Sequence, residues 1–201
     1  MSVEIRPFHP SDVPALYRIC LLTGAAGRDA TALYRDPDLL GHLYAGPYPL
    51  ADPGLTFVVV DEVGPAGYIV ATADTARFEQ WLDRSWWPTL RARYPMAPDP
   101  HDGTEDHLLV ARIHDGAAAD DALTDRFPAH LHIDLLPRAQ GQGLGRRLIE
   151  TLSAALRERG VPGVHLGVSD RNEGAIAFYA RVGFVEAARH EWGRTLTLDL
   201  T

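Results

Sequence analysis

The chain has 201 residues, 46% of them hydrophobic and 23% charged, with one cysteine and a formal net charge of −8. That length suits one α/β domain, the lone cysteine excludes a disulfide scaffold or thiolate metal cluster, and the acidic balance argues against nucleic acid, whose binding needs phosphate neutralisation. The opening MSVEIRPF lacks a signal-peptide pattern and no apolar run nears the ~18 residues of a membrane span, so a cytoplasmic protein with no membrane partner is expected.

Val3 to Phe8 predicts a short strand. A helix follows, capped by Ser11 or Asp12, with Leu16, Ile19 and Cys20 on one face. A second helical piece is expected over Thr31 to Tyr44. LTFVVVDEVGPAGYIVATAD predicts a hairpin, because two β-branched runs flank a turn rich in glycine and proline. Helical spacing then recurs around Phe78, Trp81 and Leu82 until Pro88 interrupts it, and MAPDPHDGTED predicts a polar loop. HLLVARIH (107–114) reads as a strand and DDALTDRF as a short helix, with His101, His107 and His114 at the surface.

From Ala129 the pattern sharpens. AHLHIDLLP predicts a strand, and GLGRRLIETLSAALRERG predicts a helix in which Leu144, Leu148, Leu152 and Leu156 repeat every four residues. GVHLGV is a strand, NEGAIAFYARVG a helix, and FVEAARH with RTLTLDL a closing antiparallel pair. The expectation is an α/β fold with a mixed, mostly antiparallel sheet and helices on both faces. One domain over residues 1–201, with an extended middle segment at about 75–128, is the simplest organisation.

LLPRAQGQGLGRRLIE (135–150) carries the chemistry. A strand that enters a glycine turn and then a helix aims unpaired backbone N–H groups at one point, and the helix dipole favours an anion there. Gly141, Gly143 and Gly145 permit close approach, and Arg146 and Arg147 add charge. A P-loop is excluded, because Arg146 follows Gly141 where lysine and Ser/Thr are required. A dinucleotide fingerprint lacks its last glycine, which falls at Arg146, and its ribose-reading acid, since the next strand ends at Ser169.

Gln140-x-x-Gly143-x-Gly145 instead resembles the pyrophosphate loop of the GCN5-related N-acetyltransferases. NEGAIAFYARVGF resembles that family's second signature at Asn172, Ala175, Phe178, Tyr179, Gly183 and Phe184. More narrowly, FVVVDEVGPAGYIVATADTARFEQWLDRSWWPTLRARYP, HLLVARIH, RFPAHLHIDLLP and AIAFYARVGF resemble the acetyltransferase-like C-terminal domain of O-GlcNAcase and its free-standing bacterial relatives. The resemblance implies two splayed parallel strands, HLHIDLL and GVHLGV, holding acetyl-CoA as cosubstrate. Backbone groups at Leu135 and Leu136 would take the pantetheine arm, and Gln140, Gly141, Gln142, Gly143, Leu144, Gly145, Arg146 and Arg147 the pyrophosphate. Asn172, Ala175, Phe178 and Tyr179 would complete the cofactor site. It also implies acetyl transfer to an amine by direct attack in a ternary complex, with Tyr179 as general acid; on its stripe with Ala175, Phe178 and Val182, Tyr179 also suits core packing. A coenzyme A-binding regulatory domain without efficient catalysis is the alternative.

His130, His132 and Asp134 alternate along one strand and so share a face, with Leu131, Ile133 and Leu135 on the other. Unpaired burial of such groups is costly. They read as a substrate pocket with Asp134 as base or amine anchor, as satisfied structural groups, or as an H-x-H-x-D metal site; the cofactor signatures make a metal unnecessary. His132 and Trp81 are candidate acceptor contacts, although Trp81, Trp86 and Trp87 would equally form a satellite core. Cys20 reads as packing. The acceptor is expected to be an amine on a small molecule, peptide or protein, and an exposed edge strand near the C-terminus is compatible with a homodimer.

Overall fold

The computed structural model describes residues 3–96, 103–116 and 121–201, the side chain of residue 121 excepted. Their strands are β1 (Glu4–Pro7), β2 (Thr56–Asp61), β3 (Gly64–Thr72), β4 (Ala129–Leu135), β5 (Gly163–Ser169), β6 (Val185–His190) and β7 (Gly193–Asp199). These make one sheet in the order β1-β2-β3-β4-β5-β7-β6. Every neighbouring pair is antiparallel except β4 and β5. That parallel pairing covers only Ala129–Val164 and His130–His165, after which the strands part.

One face of the sheet carries α1 (Val13–Thr23), α2 (Leu39–Tyr44) and α3 (Tyr48–Ala51), with α4 (Thr75–Trp81), α5 (Trp87–Arg93) and α6 (Asp106–Asp115). Leu16 and Ile19 of α1 pack there with Val58, Tyr68 and Val70 of the sheet, all fully buried. The opposite face carries α8 (Leu144–Glu158), whose leucine stripe packs on Val59, Ile69, Leu131 and Val164. Burial of each such large apolar side chain contributes ~1.5–3 kcal/mol. α7 (Asp121–Arg126) leads into β4, and α9 (Glu173–Arg181) follows β5. No described helix is long and apolar enough to cross a membrane.

Three elements differ from the sequence expectations. Residues 107–114 are helical, within α6, rather than a strand. Leu109 and Ile113, four apart, are the buried pair, while acidic Asp106 begins the helix and basic Arg112 and His114 lie in its last turn, before the terminal Asp115, a placement of Asp106, Arg112 and His114 that complements the helix dipole. Pro88 does not end the helical run. Leu82–Trp86 forms a π-type turn, and α5 restarts at Trp87 with Pro88 in its first turn, where no N–H is needed. Only the end of Thr31 to Tyr44 is helical, because Asp29 binds the Thr31 amide and Pro37 keeps Asp36 out of helical geometry. The polar loop falls mainly on residues 97–102, including His101, which lie outside the described residues.

Candidate functional site

Gly143 forms the N-cap of α8 at φ 73°, and Gly141 has the same left-handed φ. A Cβ at either glycine would meet nothing within 4 Å, so both border open space. No side chain caps this helix end, and the first-turn amides have no intrahelical acceptor by construction. Gln140 and Gln142 brace the turn from behind: Gln140 Nε2 donates to the Leu135 carbonyl (2.8 Å) and Gln142 Nε2 to the Arg138 carbonyl (2.7 Å). Gly145 is needed for another reason. A Cβ there would lie 3.0 Å from the Phe178 ring, so its absence lets α8 start against α9.

A cavity of about 560 Å³ opens over this turn. Leu135, Gln140, Gly141, Gly143, Leu144, Gly145, Arg146, Asn172, Ala175, Phe178 and Tyr179 line it. Leu136, Gln142 and Arg147 do not. Leu136 is turned to β3, with its N–H on the Ala66 carbonyl and its carbonyl taken by Ala139 N. The ladder alternation therefore directs the backbone groups of Ile133 and Leu135 toward the gap beside β5. Arg146 donates to the Arg181 carbonyl at 2.8 Å. Asn172 Oδ1 accepts from Ala175 N–H and caps α9, which leaves its Nδ2 beside Gly27.

A second cavity, of about 1010 Å³, lies on the α1–α6 side and reaches Trp192 through the strand gap. The two cavities share Thr23, Ala26, Gly27, Ile133, Asp134, Asn172, Ala175 and Tyr179. Asp134 accepts from the Tyr68 hydroxyl at 2.6 Å and is 2.9 Å from Thr23 Oγ1. Burial raises its pKa, against the lowering effect of those two bonds. Tyr179 is buried between Phe178 and Phe184, with no hydrogen bond from its hydroxyl among the described residues. Burial, and secondarily the Asp134 charge, push its pKa up, so the phenol stays protonated.

The strand triplet divides by role. His130 is structural: one ring nitrogen bonds the Tyr48 hydroxyl and the other Thr75. His132 lies against the Tyr44 and Tyr48 rings and lines the larger cavity, and burial lowers its pKa to about 3, which keeps it neutral. Among the described residues no three His, Cys, Asp or Glu converge as metal ligands. Trp81 stacks on Trp86, whose indole N–H donates to the His42 carbonyl, and it lines neither cavity. Trp87 does line the larger one.

Sequence reasoning missed Glu79. With Thr75 and Phe78 of α4 and Leu82 of the π-type turn it forms an i, i+3, i+4, i+7 face toward the larger cavity, and burial raises its pKa to about 7 while Arg112 opposes that rise. A carboxylate set into an otherwise apolar stripe was the available signal.

A family model described as the acetyltransferase (GNAT) family matches residues 28–184. The solved structure of SsHAT is 40% identical, with a TM-score of 0.91 and full coverage of both chains. The mycothiol acetyltransferase of Jonesia denitrificans is 42% identical over 207 residues, covering 94% of this chain and 62% of that protein. Protein O-GlcNAcase of Rattus norvegicus is 23% identical over 190 residues, covering 93% of this chain and 20% of that protein. The chain thus spans only part of the length of these two curated relatives.

Proposed function

Because the chain belongs to the GNAT acetyltransferase family and is an acyltransferase, we propose that it carries acetyl from acetyl-CoA to an amine by direct attack in a ternary complex. The observation that supports this reading best is the shared wall: two cavities, one over the glycine turn and one on the opposite side, meet at Asp134 and Tyr179. Residues 1–201 act in this reading as a single domain, with Thr75, Phe78, Glu79 and Trp87 of the middle segment contributing to the acceptor wall.

The pyrophosphate rests on the first-turn amides of α8, and the pantetheine arm lies along Ile133 and Leu135 in the strand gap. Such fixing makes a bimolecular attack effectively unimolecular, worth up to ~7–11 kcal/mol in favourable systems. The amine nitrogen bonds the acetyl carbon as the C–S bond breaks. Asp134 takes a proton from the bound ammonium, which frees the nitrogen lone pair for attack; Tyr179 gives its proton to the departing sulfur and regains one from the nitrogen as the amide forms, and Asp134 then releases its proton to solvent. On the acceptor side, Glu79 and Asp134 stand among Tyr44, Tyr48, Phe78 and Trp87. Carboxylates among aromatic faces suit a cationic amine, carried by a small molecule, a peptide or a protein.

Thiol release from acetyl-CoA with a panel of amines tests this. Tyr179→Phe is expected to slow amine-stimulated release by roughly 10²-fold with coenzyme A affinity intact. Tight coenzyme A binding without amine-stimulated release from the unaltered protein would overturn the catalytic reading and leave a regulatory domain. Replacing Arg146 and Arg147 together with alanine is expected to weaken coenzyme A binding more at low salt than at high salt, because exposed charge attraction is screened. Calorimetric titration at two salt concentrations reads this, and a variant affinity equal to that of the unaltered protein at both would remove the arginines from the site.

A further inference from the structure

Thr23, the last residue of α1, has one hydroxyl proton and two close acceptors, with the Cys20 carbonyl farther off at 3.4 Å. Its Oγ1 is 2.8 Å from the Ile19 carbonyl and 2.9 Å from Asp134 Oδ1. A hydroxyl has one proton to donate and lone pairs to accept with, so it cannot donate to both at once. The Tyr68 hydroxyl meanwhile donates to Asp134 Oδ2. With Asp134 ionised, Thr23 turns its proton to Oδ1, and the carboxylate has a donor on each oxygen. With Asp134 protonated on Oδ1, the carboxyl donates to Thr23 Oγ1, and Thr23 turns its own proton to Ile19. Both states leave every polar atom of the cluster paired, and no heavy atom has to move.

We propose that Thr23 is a positioning residue, a hydroxyl rotor that switches between the Ile19 carbonyl and Asp134 as Asp134 gains and loses its proton. This rests on the acyl-transfer reading, in which Asp134 must take a proton in each turnover and lose it again. A buried base without such a partner would be left with an unmatched donor or acceptor in one of its two states, at the cost of an unsatisfied buried group. The titratable groups facing Asp134 are Cys20 of α1, Tyr68 of β3 and Tyr179 of α9, with His132 two residues back on its own strand. The thiol and both phenols are held neutral by burial, and His132 is neutral for the same reason. The rotor is therefore the group that answers a change of charge at Asp134.

Thr23→Val keeps the side-chain shape and removes the rotor. A ¹³C titration of the Asp134 carboxyl in protein free of coenzyme A is expected to show its midpoint raised by about one unit, since both forms lose their bond to Thr23 but the ionised form loses the stronger, charge-assisted one. Thr23→Ser is expected to restore the midpoint. In the kinetic profile of Thr23→Val, the acid limb of kcat/KM moves up with that midpoint, so the rate falls about tenfold below the limb and is unchanged above it. An unshifted carboxyl midpoint in Thr23→Val overturns the rotor. A shifted midpoint with an unshifted pH–rate profile upholds the rotor and instead sinks Asp134 as the base. Should Thr23→Val not fold, the Thr23 Cβ resonance of the unaltered protein is expected to titrate with Asp134, and a flat resonance through that titration overturns the proposal.

Discussion

Asp134→Asn is expected to lower kcat for acetyl transfer by roughly 10²–10⁴-fold with coenzyme A affinity unchanged, and to raise the melting temperature. The loss follows from removing the proton acceptor at the wall where the two cavities meet. The gain in stability follows from the same burial that raises the carboxyl's pKa above its ordinary 3.8. A carboxyl that holds its proton more tightly folded than unfolded favours the fold only while protonated. That contribution is complete below pH 3.8 and is lost as pH rises through the raised folded-state pKa. Asparagine carries no charge, its Oδ1 can accept from Tyr68, and its Nδ2 can donate to Thr23, which then donates to Ile19. The melting-temperature difference between the variant and the parent should therefore grow from acid to neutral pH. Calorimetric scans across that range check it. A difference that stays flat with pH would mean Asp134 titrates alike in the folded and unfolded chain, and an unimpaired kcat would assign the base elsewhere.

Gly143→Val is expected to raise the dissociation constant for coenzyme A by more than about a hundredfold, equivalent to the loss of two charge-assisted hydrogen bonds at ~1.5–3 kcal/mol each. At φ 73° a side chain is strained even though nothing lies within 4 Å of the new Cβ. The strain costs ~1–2 kcal/mol, which for a chain of this size lowers the melting temperature by roughly 2–8 °C. The larger effect is on the ligand, because the isopropyl group projects into the open space over the first-turn amides. Gly145→Ala would act differently: its methyl meets the Phe178 ring at 3.0 Å, so it should destabilise the packing of α8 on α9. Paired melting curves and coenzyme A titrations separate the two cases. Unaltered coenzyme A affinity in Gly143→Val would place the pyrophosphate elsewhere.

The part of the site built from local signals was legible before the structure. The glycines of the turn, the leucines of α8 and the Asn172–Phe184 spacing are short-range patterns, and the structure gathers most of those residues around one cavity. What depended on register was not legible. Tyr68 and Asp134 are direct partners across β3 and β4, a pairing that periodicity alone cannot fix because a slip of one residue reverses both faces. Thr23 reaches Asp134 from 111 positions away in the chain. The segment at 107–114 failed for another reason: a short apolar run fits either period, and its end charges, which favour a helix, were the better guide. Trp81 drew attention by its size, whereas Glu79, two residues before it, is the one that faces the cavity.

The parting of β4 from β5 after two paired residues has a further implication. Sheets ordinarily confine their unsatisfied peptide groups to the rim, where charge or a bulge can guard them. Here an unzipped seam runs through the middle, roofed on either side by helices rather than by another strand. The interior of the molecule is thus its least finished part, and a thin, extended guest able to exchange hydrogen bonds along its length would act as the missing rung.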